Sequence, residues 1–276
     1  MDVNTVSGVT VMKNKIFIVR HWVAGKVEVY DCKTFKEQQH LTDGLEKLNQ
    51  PFDIAACQYN DCLYVGDAFK RKIETGFEYF VHRVGFDDEE TPNLVTHWSL
   101  DEPPEGLSTT TGGNVLVAFH GLSKLIEFTT NGVPTWTISL PDNVAHPSHA
   151  IKLSDDEYVV AHGWSIDRQC GVCMVDKDGN LIGSFSGEEQ QKATKRKMGW
   201  PAHMAINKEK QIYVTDFDNK RILLLSSSLE FVKEITTGGD IRRTFVPERL
   251  YLEETGGNLY IADNSKKDVF VCKVAA

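Results

Sequence analysis

The chain has 276 residues and a formal net charge of −9, a length at which one compact unit buries roughly three quarters of its unfolded surface. An acidic surface repels phosphate backbones and anionic lipid, so DNA and membrane partners are disfavoured and RNA would need a local basic patch. No apolar run is long enough to span a bilayer.

The amino terminus, "MDVNTVSGVTVMKNK", lacks a basic stretch followed by an apolar one. With six cysteines and no such leader, the expectation is a cytoplasmic protein with reduced thiols. Beyond that stretch one frame recurs: a proline, a small or polar residue, an apolar strand, a tight turn and a second apolar strand. The first copy, "VSGVTVMKNKIFIVRH" from Val6, lacks the proline. Then come "PFDIAACQYNDCLYVGD" from Pro51, "PEGLSTTTGGNVLVAFH" from Pro104 and "PSHAIKLSDDEYVVAHG" from Pro147. "PAHMAINKEKQIYVTD" from Pro201 and "PERLYLEETGGNLYIAD" from Pro247 complete the set.

A third strand follows in each unit, as in "KVEVYD", "KLIEFT" and "RILLLS", and most units add a fourth, as in "TWTISL" or "FVKEIT". Four short antiparallel strands joined by tight turns, repeated every 43 to 54 residues, are the pattern of a β-propeller blade. The fold expected is therefore all-β: one six-bladed propeller over residues 1–276 with four strands per blade. The sixth unit runs out one strand short, after "DVFVCKV", and the N-terminal "DVNT" is expected to supply its outer strand and close the ring.

A resemblance becomes specific at Asp216–Ile222. "DFDNKRI" matches the NHL-repeat signature of Asp, two residues, Asn, one residue, Arg, Ile, and "NLYIADN" and "CLYVGDAFKRKI" are looser copies. The whole chain resembles the C-terminal NHL propeller of invertebrate TRIM–NHL-type proteins. The resemblance implies a recognition platform for protein partners, or in some cases for single-stranded or hairpin RNA. The RING, B-box and coiled-coil parts of such proteins have no counterpart in these residues, so no ligase activity is carried over.

Hairpin geometry places the functional candidates. The first strand of a blade starts, and the second ends, at the same sheet edge, so two sets of positions should meet there. The residues two after the repeat proline are Gly8, Asp53, Gly106, His149, His203 and Arg249, expected to ring the channel mouth. Those closing the second strand are Arg20, Asp67, Phe119, His162, Asp216 and Asp263. An Asp in the second set is expected to fix a turn by accepting loop N–H groups, with His162 substituting in blade four.

His149 and His203 raise a metal question, because neutral imidazoles bind Zn²⁺ well. The third ligand in that ring would be Asp53. The related propeller lyase places its histidines directly after the repeat proline, where this chain has Phe52, Glu105, Ser148, Ala202 and Glu248. No G-x-S-x-G elbow is present. Cys170 and Cys173 form a lone C-x-x-C, and Cys57 and Cys62 flank a turn in another blade. Buried thiols are preferred to a zinc knot for both pairs.

A basic run, "KATKRKMGW", joins blades four and five. With Arg242, Arg243 and Arg249 it would make a positive patch beside Trp164 and Trp200, which could stack bases or peptide aromatics. The reading adopted is a non-catalytic recognition module for a protein or peptide, with no cofactor, no metal and no catalytic residue. Its binding residues are taken as Asp53, His149, His203, Arg249, Lys195, Arg196, Lys197, Trp200, Arg242 and Arg243. RNA binding through the basic patch is the first alternative; a metal-assisted hydrolase or lyase using His149, His203 and Asp53 is the second.

Overall fold

The computed structural model describes residues 5–21, 25–38, 40–41, 48–70, 77–88, 90–164, 169–187, 197–235 and 245–274. All regular structure in them is β, in six antiparallel sheets. The first holds β1 (Thr5–Met12), β2 (Lys15–His21) and β3 (Lys26–Asp31). The second holds β4 (Pro51–Cys57), β5 (Cys62–Lys70), β6 (Phe77–Phe86) and β7 (Pro92–Leu100). Blade three is β8 (Gly106–Thr109), β9 (Val115–Phe119), β10 (Lys124–Phe128) and β11 (Pro134–Ser139).

Blade four follows as β12 (Pro147–Lys152), β13 (Glu157–His162), β14 (Gly171–Asp176) and β15 (Leu181–Phe185). Blade five is β16 (Pro201–Ile206), β17 (Ile212–Asp216), β18 (Arg221–Leu225) and β19 (Phe231–Ile235). Blade six is β20 (Pro247–Glu253), β21 (Asn258–Asp263) and β22 (Asp268–Lys273). Strands pair in chain order within every sheet, so each blade is a meander.

The six-bladed reading holds, and the core shows why the blades stay together. Apolar residues gather into six clusters, one at each junction between neighbouring sheets. A blade buries its apolar faces only against its neighbours. Closure is visible in the cluster joining Val6, Val9, Val11, Ile16 and Ile18 of the first sheet to Tyr260 and Ala262 of the last. Four sheets have four strands, while among the described residues the first and last have three. In the first sheet a single bridge, Tyr30 to Glu37, stands where a fourth strand would lie. Of the "DVNT" expected to form the outer strand, Thr5 opens β1 and pairs with His21 inside blade one, and the residues before it lie outside the described residues.

The strand-closing aspartates act as expected, with a wider reach. Asp67 accepts the backbone N–H groups of Asn49 at 3.0 Å and Gln50 at 2.6 Å. Asp216 accepts from Gly199 N, from Asn219 Nδ2 and from Arg221 Nε, at 2.9, 2.9 and 2.8 Å. Asp263 accepts from Val246 N at 2.9 Å and from Ser265 N at 2.9 Å. These buried carboxylates tie the loop entering the blade as well as the turn that follows. The "DxxNxRI" spacing is thus one Asp with its two side-chain donors. His162 departs from the pattern: its ring makes no hydrogen bond among the described residues, and its Nδ1 is buried without a partner.

Candidate functional site

Hairpin alternation misplaces the mouth by one residue. In five blades the register of the two inner strands slips just after the repeat start, between Val6 and Gly8, Pro51 and Asp53, Pro147 and His149, Pro201 and Met204, and Pro247 and Arg249. Such a bulge sets two residues against one and re-aims the side chains around it. Three of the extra residues, Ser7, Phe52 and Glu248, line the mouth together with Glu105, while Ser148 and Ala202 in the same slot are buried. Of the four residues expected to ring it, Asp53, His149 and His203 are buried and do not line it, while Arg249, though also buried, does.

These four buried residues stitch the blades across the axis. Asp53 accepts Ile54 N at 2.9 Å and Leu107 N, in the next blade, at 2.8 Å. His149 Nε2–H donates to Leu107 O at 3.2 Å, and Leu250 N donates to His203 Nδ1 at 3.3 Å. The two imidazoles are in contact, with centroids 3.7 Å apart and planes tilted by 30°. Arg249 Nε donates to Ser7 O at 2.9 Å and Nη1 to Ala202 O at 3.0 Å. Its Nη2 reaches Glu105 O, on the opposite blade, at 3.3 Å.

Burial governs the ionisation of this group. It holds His149 at about 3, helped by the Arg249 charge and opposed by the bond to Leu107. It pushes His203 well down, with His149 and Arg249 adding to the effect. It lifts Asp53 to about 6 against the pull of Arg249 and two N–H donors. Both imidazoles are therefore neutral near pH 7, as a metal would require. Yet Asp53, His149 and His203 do not converge as a three-donor set; among the described residues only Glu28, Glu37 and His40 do. Glu28 is already paired with Arg20 and Lys26, so neither cluster makes a convincing metal centre.

Above this floor lies a cavity of about 480 Å³. Its walls come from distant parts of the chain: Ser7 and His21 from blade one, Phe52, Ala68 and Tyr79 from blade two, Glu105 from blade three, and Glu248, Arg249 and Asn264 from blade six. β5 and β6 overrun the inner strand at this edge, since Pro51 already pairs with Asp67 while pairing continues to Lys70 and Phe77. Ala68 and Tyr79 belong to that overrun. Phe52 lies against Gly66, where a Cβ would come within 2.4 Å of its ring. Asn264 donates to Glu248, and His21 Nδ1–H donates to Pro51 O at 3.2 Å. Burial raises the Glu105 carboxyl, opposed by Arg249 and reinforced by Glu248. A separate space of about 160 Å³ is lined by inner-strand residues, His149 and His203 among them.

At the same edge of the sheets, on blades three to five, runs a row of rings. His146 and His120 are 4.3 Å apart, His120 and Trp164 5.3 Å, Trp164 and Trp200 6.2 Å, and Trp200 and Phe217 4.9 Å between centroids. Trp164 is 62% exposed, and Trp200 is half-buried beside exposed Lys197. The other basic residues assigned to this patch, Lys195, Arg196, Arg242 and Arg243, lie outside the described residues. All six cysteines are free thiols. Cys57 and Cys62 face each other across the β4–β5 hairpin.

No protein-family model matches the sequence, and no curated protein matches it. Solved structures do share its architecture. Hydrazine synthase of Kuenenia stuttgartiensis superposes with a TM-score of 0.64 at 14% identity, covering 100% of this chain and 97% of that one. Virginiamycin B lyase of Staphylococcus aureus gives 0.62 at 12% identity over 100% and 86%. A Bacteroides caccae protein of unknown function gives 0.64 at 16% identity over 90% and 82%. At such identities the likeness is one of fold alone.

Proposed function

We propose that this propeller is a recognition module whose mouth face takes a protein or peptide partner, in the manner of an NHL-type propeller. One observation carries the reading: a walled cavity and a partly exposed aromatic row occur on that same face. Concave pockets with convergent polar groups take ligands, and aromatic anchors carry much of the binding energy at protein interfaces. The axial histidines and Asp53 bind neighbouring strands, which favours a structural role for them over a catalytic one. Arg249 serves both purposes, since it ties three blades and also lines the cavity. A lyase among the structural neighbours does not change this, because similar scaffolds carry unrelated chemistries.

The test is selection of short random displayed peptides on the immobilised full chain, beside selection from a single-stranded RNA pool. Enriched peptides whose binding is lost in Trp164→Ala support the proposal. Enriched RNA with steeply salt-sensitive affinity, and no enriched peptide, would replace it with the nucleic-acid reading.

A further inference from the structure

We propose that the mouth cavity is a socket for one cationic side chain of the partner, a lysine or an arginine. The inference rests on the peptide-recognition reading and names what that peptide must carry.

Charge points to a cation. Glu105 and Glu248 line the cavity, and Asp53 lies close enough to act on Arg249 from below. Three carboxylates thus surround one fixed guanidinium. That guanidinium is held by three backbone carbonyls, so it cannot swing out to neutralise the rim. Glu105 is the least satisfied of the group. Its backbone N–H and C=O are both bonded, to Ala118 and Arg249, but its carboxyl takes no hydrogen bond among the described residues. Burial and Glu248 both disfavour its ionised form, a condition that an incoming ammonium or guanidinium would relieve. Glu248 is held by Asn264.

The walls suit the stem of such a side chain. Phe52 and Tyr79 line the cavity, so apolar and aromatic surface is at hand for the methylenes and the head group. The absence of a side chain at Gly66 lets the Phe52 ring lie against the strand. A volume of about 480 Å³ falls within the usual range of about 300–1,000 Å³ for small-ligand sites. It admits a single side chain with attendant water. A divalent metal is a poorer fit, because Glu105 and Glu248 find no third donor converging with them among the described residues.

The probe is n-butylammonium, titrated against the full chain and followed by the Gly66 amide resonance, with n-butanol and butyrate as controls. Saturable binding of the ammonium alone is expected, in the millimolar range. It should weaken by about tenfold or more in Glu105→Gln/Glu248→Gln, the loss of roughly one charge-assisted contact. Trp164→Ala, outside the cavity, should leave the titration unchanged. Equal binding of butanol, no binding of the ammonium to folded protein, or an unaffected double variant would each overturn the socket.

Peptide selection separates the two claims. Enriched peptides without lysine or arginine would sustain the peptide reading and overturn the socket. Ammonium binding with no enriched peptide would sustain the socket and sink the peptide reading.

Discussion

The axis and the rim differ by one position in the sequence and by everything in their surroundings. Phe52, Glu105 and Glu248 open onto the cavity, while Asp53 and His149 lie at the axis with bonds to neighbouring strands. A bulge separates the two levels. It allows one innermost strand to hold the ring together and to present a side chain to the cavity, without asking one residue to do both. Arg249 alone belongs to both levels, and its replacement should break the distinction.

Arg249→Met carries the largest expected effect. It leaves Ser7 O, Ala202 O and Glu105 O without their donor and removes the charge that partly offsets the burial of Asp53. Losing one member of a buried charged group costs about 3–5 kcal/mol, and equilibrium urea denaturation should show a loss of that size. A change below about 1 kcal/mol, the scale of an ordinary surface substitution, would mean that the axial bonds do not hold the blades.

Acid should read the axis next, with opposite signs at two residues. The folded state keeps His149 neutral down to about 3, whereas the ordinary value is 6.5. Its contribution is thus complete above pH 6.5 and is lost as acid is added through that window, because only the unfolded chain takes up the proton. Asp53 is shifted up from 3.8 to about 6, so between those values the folded state binds the proton and acid favours the fold. His149→Gln should therefore flatten the loss of stability between pH 6 and 4, by up to about 1.4 kcal/mol per pH unit. Asp53→Asn should steepen it. Denaturation midpoints across that range are the measurement, and parallel profiles for all three proteins would refute the assignment of these shifts.

The same contrast explains what the sequence discloses. Six copies of a proline, two apolar strands and a turn make the propeller legible, because hydrophobic runs and turn formers are local signals. The strand-closing aspartates are legible for a related reason, since Asp216, Asn219 and Arg221 stand within six residues and complete one another. The cavity is not. A one-residue bulge leaves no local mark, and strict alternation assigns Asp53 and Arg249 to the mouth while passing over Glu105 and Glu248. Its other walls, His21, Tyr79 and Asn264, come from three blades and meet only once the ring has closed. Two glutamates directly after repeat prolines, in a slot otherwise occupied by Phe52, Ser148 and Ala202, were the available clue.

Trp164→Ala should give the smallest change in stability and the clearest change in recognition. The ring is 62% exposed and rests edge-on against His120 and at a tilt near Trp200, so little packing is lost with it. Its removal should alter folding by less than about 0.5 kcal/mol. An aromatic anchor in a peptide site is worth considerably more, and affinity for selected peptides should fall by about tenfold to a hundredfold. Both measurements are needed on the same protein. Equal loss in stability and affinity would place Trp164 with the axis, as part of what holds the blade loops in position. Affinity lost with stability intact would place the row with the rim, as surface left uncovered for a partner.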